Sequence, residues 1–517
     1  MSSAMLSTFL ELAGGSRGGG GGGTSRLFTV RRSQRWLRRH PVAYRAYSVA
    51  NPGQRPTVVV AGAGAAGAST AMHLVRNGAN VVMVDPRPPM SATTAYSTES
   101  YRDFFADLAV AGLMSRSIEL LEELAGEDNE FRLNRRGYAF FSANPASAQA
   151  FEQLALNAAS QGLGELRKHV ENVEAYRPSA STGFRSDSPI GFDLVVGRKN
   201  IQRIFPWVSD SAEVLLHARR CGWMDGQGLG LCMLERAKAG HDGSSAKVVR
   251  GSIVGFERSG GEVRGVSVLS QNGEEIQIKC DVFINAAGAW AKKLQGLLTD
   301  EELPLTNELH AKVMLNDEVN AIPQDAPMMI WRDSVRLDED ADVADFFREL
   351  DDTADGGIVN SACWLGPQPG GQHLRPAGNG RVIMLWEHLH KHIQIAEDPP
   401  MPVENFIEMY PQLCVTALKA MVPALEAYEE SLPKSTIIDG GYYTVTPDGR
   451  PFIARHGAQN AFVCSGMGTF GLMSSPAAGE LAALLALGKP LPPHAEAFDW
   501  PRKAAVERAL DLLDDSA

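Results

Sequence analysis

Cysteine is scarce in this chain: Cys221, Cys232, Cys280, Cys363, Cys414 and Cys464 are the only ones among 517 residues, and no two form a Cys-x-x-Cys pair. That argues against a metal site or a disulfide framework and makes a reducing compartment the default. Positive charge is in deficit, with 49 Lys and Arg against 61 Asp and Glu and a formal charge of −12. Such a balance argues against a nucleic-acid partner. No apolar run is long enough to span a bilayer, so no transmembrane segment is expected. Acid is nearly missing from the N-terminus, where Glu11 is the only one before Asp85. In its place stand a low-complexity run, Gly18 to Gly23, and then Arg26, Arg31, Arg32, Arg35, Arg38, Arg39 and Arg45 interleaved with Leu27, Phe28, Val30, Trp36 and Leu37. Arg-rich, acid-poor and partly amphipathic is the composition of an organelle transit peptide, with a disordered basic tail as the alternative. Arg45-Ala46-Tyr47-Ser48 resembles a mitochondrial processing signature cut after Tyr47. Residues 1–47 are therefore expected to be a leader outside the fold, directing the chain to the mitochondrial matrix, with a plastid as the lesser alternative.

What organises the remainder is Pro56 to Thr70. Val58 to Ala61 is a β-branched apolar run of the kind needed by a strand covered on both faces. Gly62, Gly64 and Gly67 follow in G-x-G-x-x-G spacing. The first makes the turn, the second admits a pyrophosphate to the backbone, and the third lets helix pack on strand. The helix after them, Ala68 to Asn77, aims its N-terminal amides at the phosphates. Gly78 stops it, and Val81 to Asp85 is a second strand ending in an acid 18 residues after Gly67, where it can accept from a ribose hydroxyl. A glycine-rich turn in some other α/β protein is the bland alternative.

Further along, Pro86 to Met90 reads as a loop, and Ser91, Thr93, Thr94, Ser97 and Thr98 supply hydroxyls to a flavin or phosphate edge or to solvent. Phe104 to Ala125 has helical spacing, Gly137 to Phe141 reads as a strand, and Ala146 to Gln161 as a helix. Trp223 to Gly226 marks a turn before a helix from Leu229 to Ala239. Lys247 to Phe256 and Glu262 to Ser270 form a small antiparallel meander. Asp281 to Ala291 repeats the order strand, small residues, helix. Strands at Ala311 to Leu315 and Val382 to Trp386 flank an acidic block, Asp338 to Asp355, read as a solvated loop. Ile437 to Ala454 is strand-like with a turn at Pro447-Asp448-Gly449. Ala461 to Cys464 is a strand, and Pro476 to Leu487 a helix.

Four of these pieces together resemble the D-amino-acid-oxidase-like (DAO) family of FAD-dependent oxidoreductases, which includes sarcosine oxidase, dimethylglycine dehydrogenase and D-arginine dehydrogenase. They are Gly62 to Asp85, Gly222-Trp223-Met224-Asp225, Asn285 to Trp290, and the C-terminal pair Asp439 to Pro451 and Gly466 to Gly471. The resemblance implies an α/β fold in which a Rossmann-type FAD-binding domain (56–98, 220–300, 436–492) is interleaved with an α+β mixed-sheet substrate domain (99–219, 301–435), with 493–517 as a C-terminal tail or helix. It implies FAD contacts from Gly62, Gly64, Ala65, Ala66, Gly67, Asp85, Pro86, Arg87, Thr98, Ile253, Ala287, Gly288, Trp290, Gly466, Met467, Gly468, Thr469, Phe470, Gly471 and Leu472, and no metal. It also implies a small-molecule amine substrate, secondary, tertiary or N-methylated, that loses a hydride to the flavin. Oxygen, a quinone or another flavoprotein would take the electrons. A catalytically silent FAD-binding assembly factor of a respiratory complex is the alternative.

The chain departs from the family pattern in places. Gly441 stands where sarcosine oxidases carry the flavin-attaching cysteine, and the Ser91 to Thr98 loop lacks the attaching histidine of dimethylglycine dehydrogenase, so FAD is expected to be non-covalent. Met473 replaces a carboxylate-holding lysine, and Tyr442 aligns with the arginine that does this job in D-arginine dehydrogenase. Three residues remain as catalytic candidates. Arg375, in His373-Leu374-Arg375-Pro376, is either an anion anchor or a surface salt-bridge arginine. Lys312 is either the flavin-adjacent lysine or a surface lysine. Tyr443, with Trp386 and Met473, is expected to wall an apolar substrate pocket, unless the aromatics are simply core.

Overall fold

The computed structural model describes residues 55–179, 188–338, 344–345, 366–386, 398–403, 406 and 408–502. The N-terminal segment expected to be a leader, most of the acidic block and residues 503–517 lie outside the described residues. Two large sheets, one of eight strands and one of nine, carry the architecture.

At the centre of the first sheet is Thr57–Ala61, paired in parallel with Asn80–Asp85 on one side and Val282–Asn285 on the other. Ala461–Ser465 extends the parallel set and Phe452–Arg455 closes that edge antiparallel. The unbroken apolar run of the first strand is explained by its two neighbours. Val58 and Val60 join the core beneath the helices, while Val59 and Ala61 pack with Val82, Val84 and Phe283 beneath the opposite layer. Fully burying each such valine contributes about 1.5–3 kcal/mol. Helices Ala65–Arg76, Leu108–Ala125, Gly226–Ala239 and Gly471–Ala486 pack together on the first face. The meander expected at 247–270 is continuous with the parallel sheet. Residues 246–250 of the long strand Ala246–Ser259 pair with Asn80–Asp85, and its remainder pairs with Glu262–Ser270.

The second, mixed sheet runs Ile437–Val445, Thr306–Asn316, Arg381–Leu385, His373–Gly378, Met328–Trp331, Tyr138–Ser142, Val214–Ala218, Phe192–Val196, Leu166–His169. Helix Tyr410–Leu418 packs on one of its faces. The other holds Phe104, Tyr138, Phe140 and Trp223.

The interleaved α/β architecture is as the sequence reads, with one boundary moved. Ile437–Val445, expected to open the third piece of the flavin domain at 436, is instead the edge strand of the nine-stranded sheet, in register with Thr306–Asn316 from Thr306↔Val445 to Met314↔Ile437. The chain crosses to the first sheet only at Phe452, after a turn in which Gly449 has φ +71°. Periodicity identifies a strand, but the partner is chosen by packing on residues more than a hundred positions away.

Candidate functional site

The site grows from the glycine turn. Gly62 takes φ +103°, and a Cβ there would lie 2.4 Å from the Ala286 carbonyl oxygen, so the second motif is packed directly on the turn. A Cβ on Gly67 would lie 2.0 Å from the Gly62 oxygen. Gly64 differs: its φ of −81° suits any residue, and its only close neighbour is Thr94 Oγ1, 3.3 Å from an added Cβ. Gly64 is also the N-cap of helix Ala65–Arg76 and offers no side-chain oxygen to the first turn. Its amides are thus left to an anion, apart from Ala65 N, which donates to Thr94 Oγ1 at 3.2 Å.

Asp85 closes the next strand. Its Oδ2 accepts from Ala63 N and its Oδ1 from Arg87 N, each at 2.8 Å. A carboxylate has about four lone-pair sites, so two remain for a diol. Arg87 stacks on Trp290, with its guanidinium carbon 3.9 Å from the ring centroid.

These parts open on one cavity of about 750 Å³, a volume in the range of sites for whole cofactors. The glycine turn supplies Gly62, Gly64, Ala65 and Ala66, and the strand end supplies Asp85, Pro86 and Arg87. Ile253 lines it from the long strand, Ala287, Gly288 and Trp290 from the second motif, and Gly466 to Thr469, Gly471 and Leu472 from the C-terminal loop. Three expected contacts stand one layer back. Gly67 is turned onto Gly62. Thr98 accepts from Arg375 through its carbonyl. Phe470 packs edge-on against Phe105, 5.1 Å between centroids. Beyond these, Lys293, Leu294, Leu297 and Asp398 line the cavity and sequence reasoning missed them. For three of them a signal existed: Trp290, Lys293, Leu294 and Leu297 are spaced i, i+3, i+4, i+7, one helix face. Asp398, ion-paired to Lys293 at 2.6 Å, had none.

At the sheet side, Tyr442, Tyr443 and Thr444 line the same cavity. Tyr443 stacks on His310, 4.1 Å between centroids and 15° between planes. Thr93 Oγ1 donates to Tyr442 O at 3.1 Å, and a Cβ on Gly441 would come within 3.3 Å of Thr93 Cα. Helix Gly471–Ala486 starts at the cavity after the turns at Gly466 and Gly468, with φ +66° and +55°, and carries no side-chain cap. Its positive end is therefore available to a group in the cavity that gains negative charge.

The other catalytic candidates sit differently. Arg375 and Lys312 are 2% and 4% exposed, so neither is a surface residue, yet neither lines the cavity. Burial presses the Arg375 pKa below the usual guanidinium range, opposed by Glu99 at 2.9 Å. Lys312 donates to Tyr96 O at 2.9 Å and is ion-paired with Asp439. Trp386 is core, its Nε1 donating to Pro369 O at 3.2 Å. Met473 lies in the core of the first sheet, and its carbonyl accepts from Ser117 Oγ at 2.5 Å. Of the expected apolar walls, only Tyr443 borders the cavity. Among the described residues, no cluster of His, Cys, Asp and Glu is placed to hold a metal, and no helix is long and apolar enough to cross a membrane.

A family model described as FAD dependent oxidoreductase (DAO) matches residues 57–485. No curated protein sequence matches significantly. Among solved structures, L-proline dehydrogenase from P. horikoshii is 20% identical with TM-score 0.62, over 86% of this chain and 97% of that one. Glycine oxidase from Geobacillus kaustophilus is 14% identical with TM-score 0.60, over 87% and 99%. Iminodiacetate oxidase from Chelativorans sp. BNC1 is 19% identical with TM-score 0.57, over 84% and 96%. At such identities the structural likeness speaks for the fold, while the family model speaks for descent.

Proposed function

The chain belongs to the DAO family of FAD-dependent oxidoreductases, and from that premise we propose that it oxidises the C–N bond of a secondary or tertiary amine or an N-methylated amino acid, giving an imine or, from a tertiary amine, an iminium ion. The observation that carries this reading is the single cavity bounded at once by the glycine turn, the Gly466 to Leu472 loop and the Tyr442–Thr444 strand. It fits FAD as an extended dinucleotide: a glycine cradle for the pyrophosphate, a carboxylate for the ribose, and a helix start and strand edge for the ring. Relatives whose structures are known are named for proline, glycine and iminodiacetate, all of which present a carbon bonded to nitrogen.

FAD, when bound, would supply an acceptor for a hydride from the carbon next to nitrogen. The chain's own residues do the rest. The first-turn amides of helix Ala65–Arg76 and Asp85 would hold the nucleotide. The backbone N–H groups of the 466–471 turns and the following helix start favour negative charge near the ring. Tyr442 and Tyr443 exclude water on the sheet side. Desolvation of the amine against this wall would favour its neutral form, whose lone pair the reaction needs. Gly441 against Thr93 supports non-covalent FAD, since the flavin-attaching side chain is missing and an added Cβ at 441 would lie 3.3 Å from both Thr93 Cα and Thr93 Cγ2. Oxygen, a quinone or a second flavoprotein is the proposed electron acceptor, and the Arg-rich leader supports a mitochondrial location. No observation favours a silent assembly factor.

The test is product analysis. An imine formed from an N-methyl amine hydrolyses to formaldehyde and the demethylated amine. Both products are expected in equal amounts, and conversion without a carbonyl product would overturn C–N oxidation.

A further inference from the structure

Met90 lines the cavity with its backbone in the left-handed region, at φ +62°. That conformation is unfavourable for a residue with a Cβ and persists only where the surroundings impose it. Three features do so. Pro86, Pro88 and Pro89 leave the loop after Asp85 little freedom. The Met90 carbonyl accepts from Gln227 Nε2 at 3.4 Å. Its side chain, 1% exposed, is seated where helix Gly226–Ala239 carries Gly230. A Cβ on that glycine would lie 2.2 Å from Met90 Sδ and 3.0 Å from its Cγ, so the notch in the helix is filled by the thioether. So placed, Met90 N donates to Ala63 O at 3.0 Å. Ala63 stands between Gly62 and Gly64, and its own N–H donates to Asp85 Oδ2 at 2.8 Å. The loop thus grips the middle of the glycine turn with both of its ends, Asp85 on the N–H and Met90 on the carbonyl. With both polar groups of Ala63 occupied, the amides left to a phosphate are those further on, at the start of helix Ala65–Arg76.

We propose that Met90 is a positioning residue for the FAD pyrophosphate. Its left-handed backbone, held by the thioether in the Gly230 notch, fixes the glycine turn through Ala63 in the shape that presents the helix start to the phosphates. What the cofactor requires of position 90 is therefore a backbone conformation, and the side chain is one of the means of holding it. The proposal rests on FAD occupying the cavity and not on the amine reading.

The experiment measures the FAD affinity of the purified full chain, from the fluorescence of flavin released on dilution, beside its melting temperature. Met90→Gly and Met90→Val are the informative pair. Glycine takes φ +62° without strain but empties the notch, whereas valine keeps part of the apolar side chain but its branched Cβ rejects that backbone. Met90→Gly is expected to melt lower than the wild type, having lost a buried side chain, and yet to bind FAD within about threefold of it. Met90→Val is expected to bind at least about tenfold more weakly, the factor that a conformational cost of this kind carries. A residue that only filled space would give the opposite order, with the glycine variant binding worse. That order, or equal affinities, would overturn the proposal. If Met90→Val does not fold, Gly230→Ala takes its place, because its methyl group would expel the thioether. FAD binding is then expected to weaken by about tenfold, and to return to within about threefold of the wild type when Met90→Gly is added. Unchanged binding in Gly230→Ala, or a double variant no better than the single one, would also overturn the proposal. A wild type that binds no FAD would overturn the cofactor assignment and this proposal together, while the wrong order among the variants overturns the proposal alone. Because no turnover is read, these results stand apart from success or failure of the amine reading.

Discussion

Gly67 lies so close to Gly62 that a methyl group on it would sit 2.0 Å from the Gly62 carbonyl oxygen, whereas at Gly64 the nearest atom is a hydroxyl at 3.3 Å. The two glycines of one motif therefore do different work. Gly67→Ala is expected to destabilise the protein by about 1–3 kcal/mol or more, because backbone rather than a side chain must move. Gly64→Val should leave the melting temperature of the apoprotein nearly unchanged and abolish FAD binding, since the added branch enters the cavity. Equal loss of fold in both variants would contradict this division.

The flavin is expected to be released. Acid precipitation should leave all yellow colour in the supernatant, because position 441 is a glycine packed on Thr93. Gly441→Cys should not gain a covalent flavin, its side chain being turned against Thr93 Cα and Cγ2. Fluorescence that stays with the denatured band on a gel would refute non-covalent binding.

His73 gives a pH dependence with a definite sign. It is buried, 3% exposed, and burial lowers its pKa from 6.5 to about 4, with Arg76 and Arg116 adding to the effect and Glu480 opposing it. The folded state keeps this ring neutral while the unfolded chain takes up a proton below 6.5. The contribution is complete above that pH and is lost as pH falls toward the folded value, about 2 kcal/mol by about pH 5. Other groups titrate in the same window, so the comparison is between wild type and His73→Leu, which changes stability by an offset but removes this slope. Parallel denaturation-midpoint curves for the two proteins between pH 7 and 5 would contradict the assignment.

The proposed leader is tested by mass spectrometry of the protein isolated from purified mitochondria. An N-terminus near Ser48 is expected, and an intact Met1 in purified mitochondria would sink the processing site.

What was legible in the sequence follows the reach of each signal. The glycine turn and Asp85 are local, and a local motif declares its own geometry: Gly62, Gly64 and Asp85 are all at the cavity. Ile437–Val445 was legible as a strand but not as an edge of the second sheet, because alternation carries no address. Arg375 and Lys312 stand out in any reading, since cations inside apolar strands are rare. That rarity cannot distinguish a grip on a ligand from a grip on a loop. Their partners, Glu99 and the Tyr96 carbonyl, are 276 and 216 positions away, and only folding brings them together. Met473 was read as a pocket wall from its place after Gly471, yet the helix turns it into the core.

The central claim is that this chain binds FAD to oxidise an amine, and anaerobic mixing of the FAD-loaded protein with a panel of secondary, tertiary and N-methylated amines tests it most directly. Bleaching of the visible flavin band by at least one of them is predicted, with one equivalent of imine-derived carbonyl compound per flavin reduced. A flavin that stays oxidised with every amine, while dithionite reduces it fully, would contradict the account.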